Sequence, residues 1–383
     1  MRQFKVYPTH SIFDLLHYSV TCQSLKNSVS TSSKVDYIIV GQGLAGSCMA
    51  LQLLYRDKKI LVYDQPQQNK SSSVAAGLFN PITGKVMVRT WKSEILFPSL
   101  HNFYIEAEKF LASKFFYPMP LYRPFNTVFE QNEWMAQSAN VSVKEYIDMI
   151  SVRSAFGDEV VDPFGGMLLK QCGYLDVPLF VDAVRRCLVN KQAYYEEVFD
   201  SDSIVVTDDG FTYKNTTTTK IVFCGGMHDQ ATNYFSWLPL RSLKGETLQI
   251  KVDEPLNRMY NKGLYIAPHS KLGHYKVGAT YDPQDKTTTI TENARVELKS
   301  KLNELLTNPY QLVAQEWGFR PCAHDRKPYV GQHPNIKNMY VLNGFGTKGV
   351  SLAPFFSNQL AEYMEGKDVI DAEASIARLK EKK

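Results

Sequence analysis

Between Val35 and Asp64 the chain reads VDYIIVGQGLAGSCMALQLLYRDKKILVYD. Val35 to Val40 is an apolar run of strand character. Gly41, Gly43 and Gly46 follow it as G-x-G-x-x-G. Ala45 to Tyr55 reads as a helix, and Ile60 to Tyr63 as a second strand that ends in Asp64. A strand, glycine turn, helix and strand in this order commit the chain to a parallel α/β sheet. Gly41 permits a tight turn, Gly43 lets a pyrophosphate approach the backbone, and Gly46 lets the helix pack close to the strand. Leu44 and Ala45 open a helix whose start carries about half a positive charge. Asp64 stands 18 residues after the last glycine and can accept hydrogen bonds from ribose hydroxyls. The unit therefore reads as a dinucleotide site. The acid argues against a 2′-phosphorylated cofactor but does not separate NAD from FAD.

A further stretch favours FAD. SSSVAAGLFNPITGK, residues 71 to 85, is small and hydroxyl-bearing where an NAD domain would start a plain βα unit. Ser72 and Ser73 can bind phosphate, and Ala75, Ala76 and Gly77 let backbone press against a flat ring. NGFGTKGVSLAP, residues 343 to 354, follows the apolar run Met339 to Leu342 and opens a helix-like run, Phe355 to Met364. It is a second anion-binding turn, roughly 300 residues after the first. Why one chain needs two such turns the residues alone leave open. Gly225 and Gly226, which end a strand over Lys220 to Cys224, mark another close approach, and Val198 joins the set.

The intervening chain mixes both periodicities. Trp91 to Phe116 contains an amphipathic helix pattern broken by Pro118 and Pro120. Arg123 to Glu130 alternates like a strand. Pro178 to Leu188 reads as a helix, with Pro178 suited to its first turn. Ser203 to Val206 and Phe211 to Tyr213 read as a hairpin. TLQIKV, GLYIAP and YKVGATYD are strand candidates, and Thr291 to Leu306 is a helix. The expected fold is α/β: a Rossmann-like cofactor domain, discontinuous in sequence, with an inserted α+β substrate domain built on a mixed β-sheet. The expected boundaries are 34–92, 150–236 and 318–372 for the cofactor domain, and 93–149 and 237–317 for the substrate domain. Residues 1–33 are a polar, serine-rich extension expected to be poorly ordered, with faint transit-peptide character. Residues 373–383 are expected to be a polar tail.

A length of 383 residues suits about two domains. No apolar run approaches the roughly 18 residues needed to span a membrane, and six scattered cysteines without a C-x-x-C pair suggest neither a metal site nor a disulfide framework. The expected location is the cytoplasm. A net charge of +4 neither demands nor excludes nucleic acid, which is not the expected partner. A homo-oligomer is left open.

VGQGLAG, SSVAAGLFNP, IVFCGG, LPLRSLKGE, LYIAP with KVGATYD, GFRPCAHDRKPYVGQHP and NGFGTKGVSLAP occur in an ordered set over roughly Lys34 to Gly366. This set resembles the D-amino-acid oxidase/glycine oxidase family of FAD enzymes, which includes sarcosine oxidase and the FAD-dependent part of a bacterial tRNA-modifying protein. The resemblance implies non-covalent FAD, its ADP half at the first glycine turn and its isoalloxazine pyrimidine edge at the second, with contacts at Gly344, Gly346, Thr347, Lys348, Gly349 and Val350. It also implies oxidation of the C–N bond of a small amino acid or N-substituted glycine, by hydride transfer to flavin N5. O2 is the expected acceptor, giving H2O2. Arg320 matches the family's carboxylate-binding arginine; its alternative is a structural arginine paired with Asp325. Tyr265 falls at an active-site tyrosine, and Tyr260, five residues earlier, is a second candidate; core packing rivals both. Lys348 falls near substrate or flavin. Asn80, Lys85 and Arg89 share only a neighbourhood with basic residues of the family, and Arg89 is the candidate to touch substrate. Cys322 has an offset from Asp325 too short for covalent flavin attachment. Three other readings stay open: an FAD enzyme acting on a carboxymethylamino group of tRNA, an NAD dehydrogenase, and a non-catalytic flavin-binding protein.

Overall fold

The computed structural model describes residues 33–65, 71–83, 88–269 and 271–379. Lys85 and the expected extension up to residue 32 lie outside the described residues.

The first sheet is built on the apolar runs seen in the sequence. Tyr194–Glu196, Ile60–Asp64, Ser33–Val40, Thr216–Phe223 and Met339–Asn343 lie side by side in that order, all parallel. The hairpin Ile204–Thr207 and Gly210–Tyr213 extends the sheet beside the start of Thr216–Phe223, and Tyr329–Gln332 flanks Met339–Asn343. Ile38, Ile39, Val222 and Val341 are fully buried, as strands covered on both faces require. The helices Leu44–Leu54 and Gly349–Met364 pack against each other on this sheet, and Ser93–Leu111 lies against the second of them. Gly46 makes the close approach possible: a Cβ there would stand 1.9 Å from the Gly41 carbonyl oxygen.

The second sheet runs Tyr310–Ala323, Leu240–Val252, Lys271–Gly278, Tyr265–His269, Met259–Asn261, Leu121–Pro124, Gly166–Leu169 and Ile147–Ser151. Period-two alternation splits its faces. Leu248, Ile250, Val252, Tyr260, Ile266 and Val277 share one core with Leu298, Leu302 and Leu305 of the helix Glu292–Leu305. Their alternates Gly245, Thr247, Tyr265 and Gly278 face the other way, toward the first sheet's helix-turn edge.

Three expectations change. Arg123 to Glu130 is not a strand: the strand Leu121–Pro124 stops there and Val128–Ser138 is helical. Thr127 Oγ1 accepts from the Glu130 amide at 3.1 Å, and the Glu130 carboxylate accepts from the Asn126 amide at 2.7 Å. That Thr-x-x-Glu capping pattern outweighs a short run of alternation. Sheet membership departs from the expected domain boundaries. Gly166–Leu169 and residues 318–323 pair within the second sheet, while Ser93–Leu111 buries Leu96, Leu100 and Tyr104 in the first core. Finally, residues 373–379 are no free tail. Ala374 and Ile376 are buried, Glu373 pairs with Lys327 at 3.0 Å, and Arg378 with Asp325 at 3.1 Å.

Candidate active site

Parallel strands place all their carboxyl ends on one edge, and ligands bind in the crevice outside that edge. Here Asp64 ends one strand, Gly41 follows the next, Gly225 and Gly226 follow the third, and Gly344 to Gly349 follow the fourth. These neighbouring ends open into one cavity of about 1100 Å³. Strand ends about 4.8 Å apart make a row, so turns distant in sequence line one elongated trough.

The cradle is close-fitting. A Cβ on Gly41 would stand 2.8 Å from the Cys224 carbonyl oxygen. The Leu44 amide, at the helix start, donates to Ser72 Oγ at 3.0 Å, and the Gln42 amide donates to Asp64 at 2.9 Å. Asp229, buried behind Gly225, accepts from the Gly225 amide at 3.0 Å and from Asn343 Nδ2 at 2.7 Å. Asn343 Nδ2 also donates to the Gly226 carbonyl at 2.7 Å, which ties two of the glycine turns together. Burial pushes the Asp229 carboxyl up to about 7 against those donors. In the same cavity the buried Asn80 Oδ1 has no hydrogen-bond partner among the described residues. A helix start and bare backbone at three turns fit the anionic part of a long cofactor such as FAD, and the unpaired Asn80 oxygen, an acceptor, fits an N–H or O–H of its polar part.

The cavity continues onto the second sheet. Gly245 pairs with Gly318, and Thr247 pairs with both Gly278 and Glu316. Three glycines thus make a bare floor between side chains. The Arg320 guanidinium lies on it: a Cβ at Gly245 would stand 2.1 Å from an Arg320 nitrogen. Arg320 reaches only the Thr280 carbonyl, at 3.5 Å, and makes no ion pair with the described residues. Asp325, its alternative partner, is engaged by Arg378. Tyr265 Oη hangs over Gly278, 3.0 Å from where a Cβ would be. Burial pushes the Tyr265 phenol up to about 12, with Arg320 partly opposing and Glu316 adding to the rise. Beside them the buried Lys276 pairs with Glu316 at 3.0 Å and donates to the Val74 carbonyl at 2.9 Å. Elsewhere in the cavity wall Lys348 Nζ lies 3.4 Å from Thr83 and Thr90 hydroxyls, its pKa lowered by burial and by Arg326 and Lys327.

Of the expected residues, Arg320, Tyr265, Lys348, Gly41, Gly43, Leu44, Ala45, Asp64, Ser72, Ala76, Gly77, Val198, Gly225, Gly226, Gly346, Thr347, Gly349 and Val350 line the cavity. Gly46 and Gly344 shape it from behind, the latter in a left-handed backbone conformation with φ of 78°. Ser73 stays outside and offers its carbonyl to Lys276 at 3.4 Å. Tyr260 is corrected to a core residue. It pairs with Ile266 on the helix-covered face, and its hydroxyl donates to Glu159 at 2.5 Å. Arg89 is also set apart: it sits in the short strand Val88–Arg89 and pairs with Glu94 at 3.2 Å. The glycine floor, Thr247 and Asp229 were missed. LKGE, KVGA and GFRP held Gly245, Gly278 and Gly318 of the floor as unassigned glycines, but only strand pairing brings them together.

Among the described residues no helix is long and apolar enough to cross a membrane. Residues 36–363 match the family DAO, described as FAD dependent oxidoreductase. The glycine oxidase of Pseudomonas aeruginosa is 31% identical over 137 residues, 35% of this chain and 37% of that protein. The chain thus spans little more than a third of that curated relative's length. The tRNA 5-methylaminomethyl-2-thiouridine biosynthesis bifunctional protein of Actinobacillus pleuropneumoniae is 22% identical over 390 residues, 87% of this chain and 56% of that one. The solved glycine oxidase of Geobacillus kaustophilus shares the fold, with a TM-score of 0.76 over 90% of this chain and 99% of that one, at 21% identity.

Proposed function

Because this chain belongs to the DAO family of FAD-dependent oxidoreductases, we propose that it oxidises the C–N bond of a small amino acid or N-substituted glycine. FAD, when bound, supplies the hydride acceptor. What supports the substrate class is Arg320. A guanidinium stays charged at any physiological pH and binds carboxylates through two parallel bonds. Here it lies on bare backbone, inside the cofactor cavity, without an anionic partner among the described residues.

The other side chains complete the pocket. Tyr265, kept protonated by burial, presents a neutral hydroxyl beside Arg320. Lys348 and the start of Gly349–Met364 bring positive potential to the cavity wall, where negative charge on a ring system would be stabilised. The substrate amine reacts in its neutral form, so positioning replaces a strong acid–base pair. O2 is the acceptor in this reading, and H2O2 the second product.

The test is the visible spectrum of the purified protein, taken anaerobically with glycine, sarcosine, D-alanine, D-proline and longer N-alkyl glycines. The visible absorption bands of oxidised flavin should bleach with at least one of them. Flavin bands that none bleaches would overturn the small-substrate reading. A second reading, favoured by the match over 87% of the chain, places the substrate amine on tRNA. It requires RNA binding that weakens steeply with salt, and absence of binding at low salt would remove it.

A further inference from the structure

Asp229 is a buried carboxylate in the wall of the cofactor cavity. Only 1% of it is exposed, and it makes no ion pair among the described residues. Buried acids are ordinarily paired with a cation: Glu246, equally buried, lies 3.3 Å from Lys244. Asp229 has neutral donors instead, the Gly225 amide at 3.0 Å and Asn343 Nδ2 at 2.7 Å. These donors belong to two of the turns that line the cavity.

That location bears on its charge. Gly225, which Asp229 holds, packs against the first glycine turn. A Cβ on Gly41 would stand 2.8 Å from the Gly225 Cα, and one on Gly225 would stand 2.5 Å from Asp229 Oδ1. The Gly41 turn is the part of the cradle suited to a pyrophosphate. A pyrophosphate there brings its negative charges close to a carboxylate that has no counter-ion. Like charges in a site that excludes water strengthen the hold of an acid on its proton. In the empty cavity burial already raises the Asp229 carboxyl to about 7. No charged side chain acts on it. Cys224, just before Gly225, keeps its thiol proton, since burial and Asp229 raise it well above the usual value. Asn343 is uncharged, and His228, on the same turn, is exposed and lies against Gln65 at 2.8 Å.

We propose that Asp229 takes up a proton when FAD binds, so that the affinity for FAD falls as pH rises above neutrality. This rests on FAD as the cofactor and not on the amino-acid reading. A proton gained on binding weakens binding by up to about tenfold for each pH unit above the pKa of the free protein, and not below it.

The experiment titrates the full-length apoprotein with FAD and reads the quenching of flavin fluorescence across a range of pH. The dissociation constant should be flat below about pH 7 and rise about ten- to a hundredfold by about pH 9. Asp229→Asn keeps the shape and carries no titratable proton, so its dissociation constant should change less than about threefold over the same range. A contribution from His228 would persist in that variant. Wild-type apoprotein mixed with FAD in weak buffer at about pH 8 should consume about half to one proton per FAD bound, read with a pH indicator, and almost none at about pH 5.5. A wild-type dissociation constant that does not change with pH, an equally steep rise in Asp229→Asn, or no proton uptake at the higher pH overturns the assignment.

Discussion

At the scale of the residue, the site turns on which way single side chains point. Tyr265 and Tyr260 are both site candidates in the sequence, Tyr265 by the resemblance and Tyr260 by its nearness to it. Strand parity separates them. Tyr260 is opposite Ile266 on the face covered by Glu292–Leu305, while Tyr265 is on the other face. Arg320→Ala should keep the flavin yet weaken carboxylate binding ten- to a hundredfold, since a charge-assisted contact is worth about 1.5–3 kcal/mol; titration of the flavin spectrum with acetate measures this. Gly245→Ala is the more telling change. Its Cβ would fall 2.1–2.3 Å from the guanidinium, at the flexible end of Arg320. The fold should survive, the guanidinium should be displaced, and acetate should bind as weakly as to Arg320→Ala. Normal acetate binding in that variant would refute the placement of Arg320 on the glycine floor.

At the scale of the element, strand ends and caps carry the predictions. The hydrogen bonds of Asp229 join the turn after Thr216–Phe223 to the turn after Met339–Asn343. Burial raises its carboxyl from 3.8 to about 7 in the folded chain. The folded protein then holds a proton that the unfolded chain has released over this window. Stability of the apoprotein should therefore fall as pH rises from about 4 to 7, by up to about 1.4 kcal/mol per pH unit from this group. Asp229→Asn should flatten that slope, as melting temperature against pH would show; an unchanged slope would assign it elsewhere. At the helix Val128–Ser138, Thr127→Ala removes the cap and should cost about 1 kcal/mol in denaturant unfolding. The cap was readable as Thr127-x-x-Glu130. The alternating run over Arg123 to Glu130 hid it, because short alternation is weak evidence against a specific hydrogen-bonding pattern.

At the scale of the whole molecule, the two sheets meet around one cavity, and Lys276 is a strut between the second sheet and the short helix Ser71–Val74. Its ammonium is fully buried, paired with Glu316 of the second sheet and bonded to the Val74 carbonyl beside the cofactor trough. Lys276→Met strands Glu316 and should destabilise the protein by about 3–5 kcal/mol. The double variant with Glu316→Gln should recover part of the loss, because the uncompensated charge is gone. Equilibrium denaturation of both would test the strut, and no recovery would mean that lost packing, not charge, dominates.

The sequence by itself determined the α/β class, the dinucleotide unit over Val35 to Asp64 and the second glycine turn at Gly344 to Gly349. Each is local: a turn needs its glycines, and a helix start needs its cap, within a few residues of chain. Only the tertiary structure decided that four strand ends form one trough, that Gly245, Gly278 and Gly318 form a floor, and that Tyr265 rather than Tyr260 faces it. Those facts depend on pairing register between strands far apart in the chain. A shift of register by one residue would turn every side chain to the opposite face, and no local pattern of glycines, hydroxyls or tyrosines records which register is taken.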